Sequence, residues 1–140
     1  MINIVIPMAG QGSRFAKAGY EKPKPFIDVD GKPMIVRVLE NLAYPDARYI
    51  LIARKEHMEK EAELVKQIEE EFNAIDKLTV LYARKYINND EPLLIANSDQ
   101  IVDMNIADFI DDCKNRNLDG SILTFIEIQN GRLQNLIKIT

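Results

Sequence analysis

Three short runs in this chain are almost wholly apolar: Ile2–Pro7, interrupted by Asn3, Tyr49–Ala53 and Leu93–Ala96. A strand with one wet face alternates apolar with polar residues, so a run without alternation must be covered on both faces. Amphipathic stretches separate these runs. Lys32–Leu42 carries Pro33 in its first turn and Ile35, Val38, Leu39 and Leu42 on a helical period. Glu56–Phe72 sets Ala62, Val65, Ile68 and Phe72 on one stripe, and Ile106–Asn115 follows a capping residue, Asn105. Leu78–Tyr82 and Ser121–Ile126 read as two further strands. Strands alternating with helices predict a largely parallel sheet, and hence an α/β, Rossmann-like three-layer sandwich. With no repeat, low-complexity tract or linker, residues 1–140 are expected to form a single domain. Beyond Ile126 the pattern gives a turn over Glu127–Asn130, before Gly131, and an edge strand over Leu133–Ile139.

Composition narrows the chemistry. Lys and Arg total 18 against 22 Asp and Glu, for a net charge of −4, with both signs interleaved. That balance argues against a non-specific nucleic-acid binder and against a protein held on a membrane surface. The single cysteine, Cys113, and single histidine, His57, rule out an internal disulfide framework, a cysteine-rich zinc site and a multi-histidine metal centre. A divalent metal would need oxygen ligands, which favours Mg²⁺ or Mn²⁺. The N-terminal apolar run has no basic segment before it and is far too short for a bilayer, so a cytoplasmic location is expected.

The first strand empties into Met8-Ala9-Gly10-Gln11-Gly12-Ser13-Arg14-Phe15. Gly10 and Gly12 let backbone N–H groups approach a phosphate. The third glycine of a dinucleotide fingerprint is replaced by Phe15, and no Walker Gly-Lys-Ser/Thr is present. Two glycines in a βα turn serve a structural role as readily as a ligand. Arg14 beside them points to phosphate, because its guanidinium offers a two-pronged donor. Further on, prolines on both sides of Lys24, in Lys22-Pro23-Lys24-Pro25-Phe26, restrict the backbone that carries this lysine. Asp99, in Asn97-Ser98-Asp99, follows the strand Leu93–Ala96 and so stands at a strand C-terminal end, where open α/β sheets bind ligands. Alternatively it caps the next turn. Asp28 and Asp30 read as turn residues beside Gly31. Glu69-Glu70-Glu71 reads as a solvated helix face, His57 as a surface residue and Cys113 as a bland thiol. Asp103 is a reserve metal ligand only.

Taken in order, Gly10-x-Gly12-x-Arg14-Phe15, Lys22-Pro-Lys24-Pro25 and Gly31-Lys32-Pro33-Met34-Ile35 resemble the N-terminal pattern of the sugar-phosphate nucleotidylyltransferases, the NDP-sugar pyrophosphorylases. These enzymes have a GT-A-like nucleotide-binding fold. The resemblance spans residues 1 to about 44 and about 83 to 125. It implies a reaction in which an NTP and a sugar 1-phosphate give an NDP-sugar and pyrophosphate with Mg²⁺, in precursor synthesis for cell-surface polysaccharide. Ala9, Gly10, Gln11 and Gly12 would hold the nucleotide, Arg14 the distal phosphates and Lys24 the α-phosphate. Asp99 would carry the metal. The implied partners are small molecules, with neither nucleic acid nor membrane among them, and self-association is left open. The family's base-recognition loop after the third strand has no counterpart in Leu81-Tyr82-Ala83-Arg84-Lys85-Tyr86, so the base is not legible. Residues 127–140 do not match the family pattern, and its C-terminal sugar-binding portion is expected to be missing. Two rival readings remain: a GT-A glycosyltransferase, which would want an Asp-x-Asp pair at this strand end, and a non-catalytic nucleotide-binding domain of the same fold.

Overall fold

A computed structural model describes residues 1–10, 12–77, 80–87, 90–123, 126–129 and 132–135. The chain divides into two compact units, Met1–Asp103 and Met104–Thr140.

The first unit is built on a four-stranded sheet. Strand β1 (Ile2–Pro7) leads to a short helix α1 (Ser13–Lys17), a 3-10 turn over Lys24–Phe26, and two two-residue strands, β2 (Asp28–Val29) and β3 (Lys32–Pro33). Helix α2 (Met34–Asn41) and strand β4 (Ala47–Ile52) follow, then helices α3 (Lys55–Lys60) and α4 (Ala62–Phe72). Strand β5 (Ile75–Lys77), helix α5 (Val80–Ile87) and strand β6 (Leu93–Ile95) complete it. The sheet runs β5-β4-β1-β6, and every pairing is parallel. β1 is therefore internal, paired along Ile2–Pro7 with β4 and along Asn3–Val5 with β6. Its apolar sequence matches that position: Ile4 and Ile6 are fully buried. Helix α2 adds Ile35, Val36, Val38 and Leu39 to the core. The α/β class with a parallel sheet is thus the one expected from the alternation of elements.

Individual elements depart from the sequence reading for definable reasons. Lys32 and Pro33 belong to β3 rather than to the helix, which starts at Met34 with Pro33 before its first turn. The β2–β3 connection is Asp30-Gly31, both at positive φ (52° and 81°), the pattern of a tight two-residue hairpin turn. The long helix expected over Glu56–Phe72 breaks at Glu61, whose backbone (φ −120°, ψ 36°) is not helical. In place of a strand over Leu78–Tyr82, the strand comes earlier, at Ile75–Lys77, and Val80–Tyr82 begin α5; Leu78 and Thr79 lie outside the described residues. Helix α5 packs through Ala83, Tyr86 and Ile87 against Val5, Ile50 and Ile52. β6 forms where expected, but it lies at the sheet edge, so Leu93 and Ile95 are exposed rather than covered on both faces.

In the second unit, helix α6 (Ile106–Asn115) has the expected cap, with Asn105 Oδ1 accepting the Ala107 N–H at 3.0 Å. Ser121–Leu123 is irregular, and Thr124 and Phe125 lie outside the described residues. Ile126, expected to end a fifth parallel strand, instead opens β7 (Ile126–Gln129), which pairs antiparallel with β8 (Arg132–Asn135). Glu127–Gln129 is thus strand rather than turn, and Leu133–Asn135 is strand as expected. Asn130, Gly131 and the rest of Leu133–Ile139, from Leu136 on, are not among the described residues. Asn-Gly is nevertheless the strongest short sequence signal for a hairpin.

Candidate functional site

The site grows from the carboxyl end of β1. Met8 N–H still bonds Ile52 C=O at 2.8 Å, so the chain leaves the sheet only at Ala9. Gly12 then takes a left-handed conformation (φ +61°, ψ 25°) and opens α1, its carbonyl accepting from Phe15 N–H at 2.9 Å and Ala16 N–H at 3.1 Å. A Cβ at Gly12 would stand 3.4 Å from Lys24 Cβ. That distance is ordinary van der Waals contact, so it is the left-handed dihedral that favours glycine here.

Lys24 is held from below. Pro23 and Pro25 flank it, Phe26 N–H closes the 3-10 turn on Pro23 C=O at 2.8 Å, and the Phe26 ring is buried to 1% exposure. Ile27 C=O accepts the Met34 N–H at 2.9 Å, tying this segment to the start of α2. The intervening hairpin is fastened by Arg37, whose Nε donates to Val29 C=O at 3.2 Å and whose Nη2 donates to Asp30. On the other side, Lys60 of α3 donates to the Glu21 carbonyl. A backbone fastened at so many points carries one ammonium into the cleft. Lys24 Nζ pairs with Asp99 Oδ2, and it lies 5.2 Å from the centroid of the Phe15 ring.

Asp99 sits in the turn beyond β6, where Ala96 N–H makes the last bond to β1, to Val5 C=O at 3.0 Å. Within the turn, Asn97 Nδ2 donates to Gln100 Oε1 at 2.6 Å. Asn41, the last residue of α2, holds the far side. Its Nδ2 donates to Val102 C=O and its Oδ1 accepts from Val102 N–H, both at 2.9 Å. No feature of the sequence marks Asn41 for this task; an asparagine at a helix end looks like an ordinary terminator. The contact of the Phe15 ring with Lys24 is equally unmarked.

A cleft of about 350 Å³ opens here, lined by Pro7, Met8, Gly10, Gly12, Ser13, Arg14, Phe15, Lys24, Pro25 and Ser98. Of the residues singled out in the sequence, Gly10, Gly12, Arg14 and Lys24 meet in this one cavity. Asp99 joins them through its pairing with Lys24 and its neighbour Ser98. Ala9 is half-buried beside the cavity without lining it, and Gln11 lies outside the described residues. Asp103 is exposed. His57, expected on the surface, is half-buried in α3. Burial above all, and then Arg54, push its imidazole below the usual histidine range, against the pull of Glu56. It does not line the cleft.

Chemically, the cavity offers backbone at Gly10 and Gly12, a guanidinium, an ammonium and one carboxylate. That set suits a polyphosphate. Among the described residues no three carboxylate, imidazole or thiol groups converge. A Mg²⁺ ion held by one carboxylate, with phosphate oxygens and waters completing its shell, needs no such cluster, and Asp99 fits that donor set.

Comparison with known proteins agrees. The chain is 26% identical over 131 residues to the mannose-1-phosphate guanyltransferase of Yarrowia lipolytica, an alignment covering 85% of this chain and 36% of that protein. It thus spans about a third of the length of that relative. Its fold is similar to a solved structure described as a glucose-1-phosphate thymidylyltransferase from Bacillus anthracis, with a TM-score of 0.61 and 20% identity, over 82% of this chain and 51% of that one. The family model for nucleotidyl transferases matches residues 4–134, which takes in β1 from Ile4 on, its loop, Lys24 and Asp99. No helix among the described residues is long and apolar enough to cross a membrane. With the motif order, the parallel sheet and a match over nearly its whole length in accord, the chain belongs to the nucleotidyl transferase family, a family of enzymes.

Proposed function

We propose that this chain binds a nucleoside triphosphate in the β1 cleft and joins its nucleotidyl group to a sugar 1-phosphate, releasing pyrophosphate. The observation that carries this reading is that Gly10, Gly12, Arg14 and Lys24 line one cavity, with Asp99 on the Lys24 ammonium. In the reaction, a phosphate oxygen of the sugar 1-phosphate attacks the α-phosphorus. The bond from the α-phosphorus to the bridging oxygen breaks, and its electron pair leaves with pyrophosphate. No protein nucleophile is needed, so positioning and charge neutralisation do the catalysis. Arg14 neutralises the departing β- and γ-phosphates. Lys24, fixed between prolines, meets the charge that grows around the α-phosphorus. Ala9 to Gly12 hold the nucleotide through backbone groups. Asp99 would hold a Mg²⁺ ion, which would supply neutralisation of phosphate charge.

On this reading residues 1–140 work as one nucleotide-binding domain in the cytoplasm, and the product feeds cell-surface polysaccharide synthesis. The substrates are small molecules, and neither nucleic acid nor membrane takes part. The test is a melting-temperature panel of ATP, CTP, GTP, UTP and dTTP with Mg²⁺, and of NAD, followed by pyrophosphate release with a set of sugar 1-phosphates. At least one triphosphate should raise the melting temperature while NAD does not, and that triphosphate should release pyrophosphate. Equal stabilisation by NAD, or none by any triphosphate, overturns the reading. Binding without pyrophosphate release from any sugar phosphate overturns the transferase step and leaves a nucleotide-binding domain. Turnover of an NDP-sugar to NDP would point to a glycosyltransferase instead.

A further inference from the structure

We propose that Phe15 is a positioning residue for Lys24: its ring holds the ammonium at the cleft once Asp99 is engaged by a cation. This rests on the phosphate roles just assigned to Lys24 and Asp99. Among the described residues Lys24 Nζ meets the Asp99 carboxylate and the face of Phe15, whose centroid lies 5.2 Å away. The two do not serve the same state. A carboxylate that ligates a divalent cation is already neutralised, and the cation repels an ammonium at contact distance. The carboxylate restraint therefore weakens when the site fills, at the moment the lysine must meet phosphate. An aromatic face carries no net charge and attracts the ammonium through its quadrupole in either state.

The ring is itself fixed. Phe15 N–H bonds Gly12 C=O at 2.9 Å, and Phe15 C=O accepts from Tyr20 N–H at 3.1 Å. The Tyr20 ring packs against that of Phe15 at 5.6 Å between centroids, tilted by 60°. Phe15 thus belongs to the same turn as the phosphate-facing residues and also lines their cavity. A residue there only to fill space would not need a π face, whereas one that aims a cation does.

The experiment compares Phe15→Leu, Phe15→Tyr and Lys24→Met, with the double variant Phe15→Leu/Lys24→Met, in pyrophosphate release at saturating triphosphate and in the acylation rate of Lys24 by an amine reagent, read by mass spectrometry without ligand. Melting temperatures confirm that each variant is folded. Phe15→Leu should lower kcat about 3- to 30-fold with little change in KM for the triphosphate, and should speed acylation of Lys24. Phe15→Tyr, which keeps the face, should restore both. Adding Phe15→Leu to Lys24→Met should cost nothing further, because the ring acts only through the lysine. An additive double variant, or failure of tyrosine to rescue, overturns the proposal. If Lys24→Met itself keeps parental turnover, the functional reading fails instead, and the acylation rates still decide whether the ring restrains the lysine.

Discussion

Arg14 and Lys24 bring the same charge to one cleft, yet they are held differently. Arg14 is exposed on a five-residue helix, whereas Lys24 stands on a proline-flanked turn anchored by buried Phe26. On the proposed reading, an exposed guanidinium suits the phosphates that leave, and a fixed ammonium suits the atom where charge develops. Arg14→Ala should therefore weaken affinity for pyrophosphate and triphosphate about 10- to 100-fold, and that for a nucleoside monophosphate little, as read by calorimetric titration. Lys24→Ala should lower kcat more than affinity, since its partner grows only in the transition state. Unchanged pyrophosphate exchange in both variants would remove both roles. Asp99 gives a sharper choice. Asp99→Asn keeps shape and hydrogen bonding, and a half-exposed ion pair adds at most about 1 kcal/mol, so the melting temperature should stay near the parent's. Mg²⁺-dependent triphosphate binding should be lost. If Asp99 were only a turn cap, asparagine would serve equally well and binding would be unaffected.

At the scale of elements, the sequence was most legible where one physical cause acted alone. β1 is internal to the sheet and apolar but for Asn3; α6 begins at the asparagine that caps it; Asp30-Gly31 makes the turn its composition suggests. It was least legible where position in the sheet overrode local pattern. β5 lies at an edge of the sheet, and its sequence, Ile75-Asp76-Lys77, has no apolar run to announce it, while Val80–Tyr82 begin a helix. The break at Glu61 leaves the helical period of Ala62, Val65 and Ile68 intact, so periodicity alone could not reveal it. The site divided in the same way. Its charged residues could be named because their types and spacing carry chemistry, whereas the parts that aim them, Asn41 and Phe15, show only in three dimensions. Asn41→Ala removes both bonds to Val102. It should destabilise the fold by about 1–3 kcal/mol in denaturant titration, and should weaken Mg²⁺–triphosphate binding through the displaced Asp99 turn. Full stability and full affinity would mean the turn is held by other contacts.

At the scale of the whole molecule, the lone histidine, His57, gives stability a dependence on pH. In the fold, burial and Arg54 depress the His57 imidazole below its ordinary value of 6.5, so the unfolded chain takes up the proton first as pH falls. The contribution is therefore complete above about pH 6.5 and declines as pH drops through the folded value. Melting curves from pH 8 to pH 5 should show His57→Gln losing less stability on acidification than the parent. Equal losses would assign the acid sensitivity to carboxylates. The two residues that pair at the cleft are distant in sequence: Lys24 and Asp99 lie 75 residues apart.

That separation has a consequence for the chain as it is made. Lys24 is made before Asp99, and at about 5–20 residues per second the ribosome needs about 4–15 s to cover the 75 residues from one to the other. During that interval β1 lacks its β6 neighbour, and the lysine has no acid to meet. The fourth strand of the sheet and the carboxylate that meets Lys24 are therefore made within a few residues of each other, so the β1–β6 pairing and the Lys24–Asp99 ion pair can form only together and late.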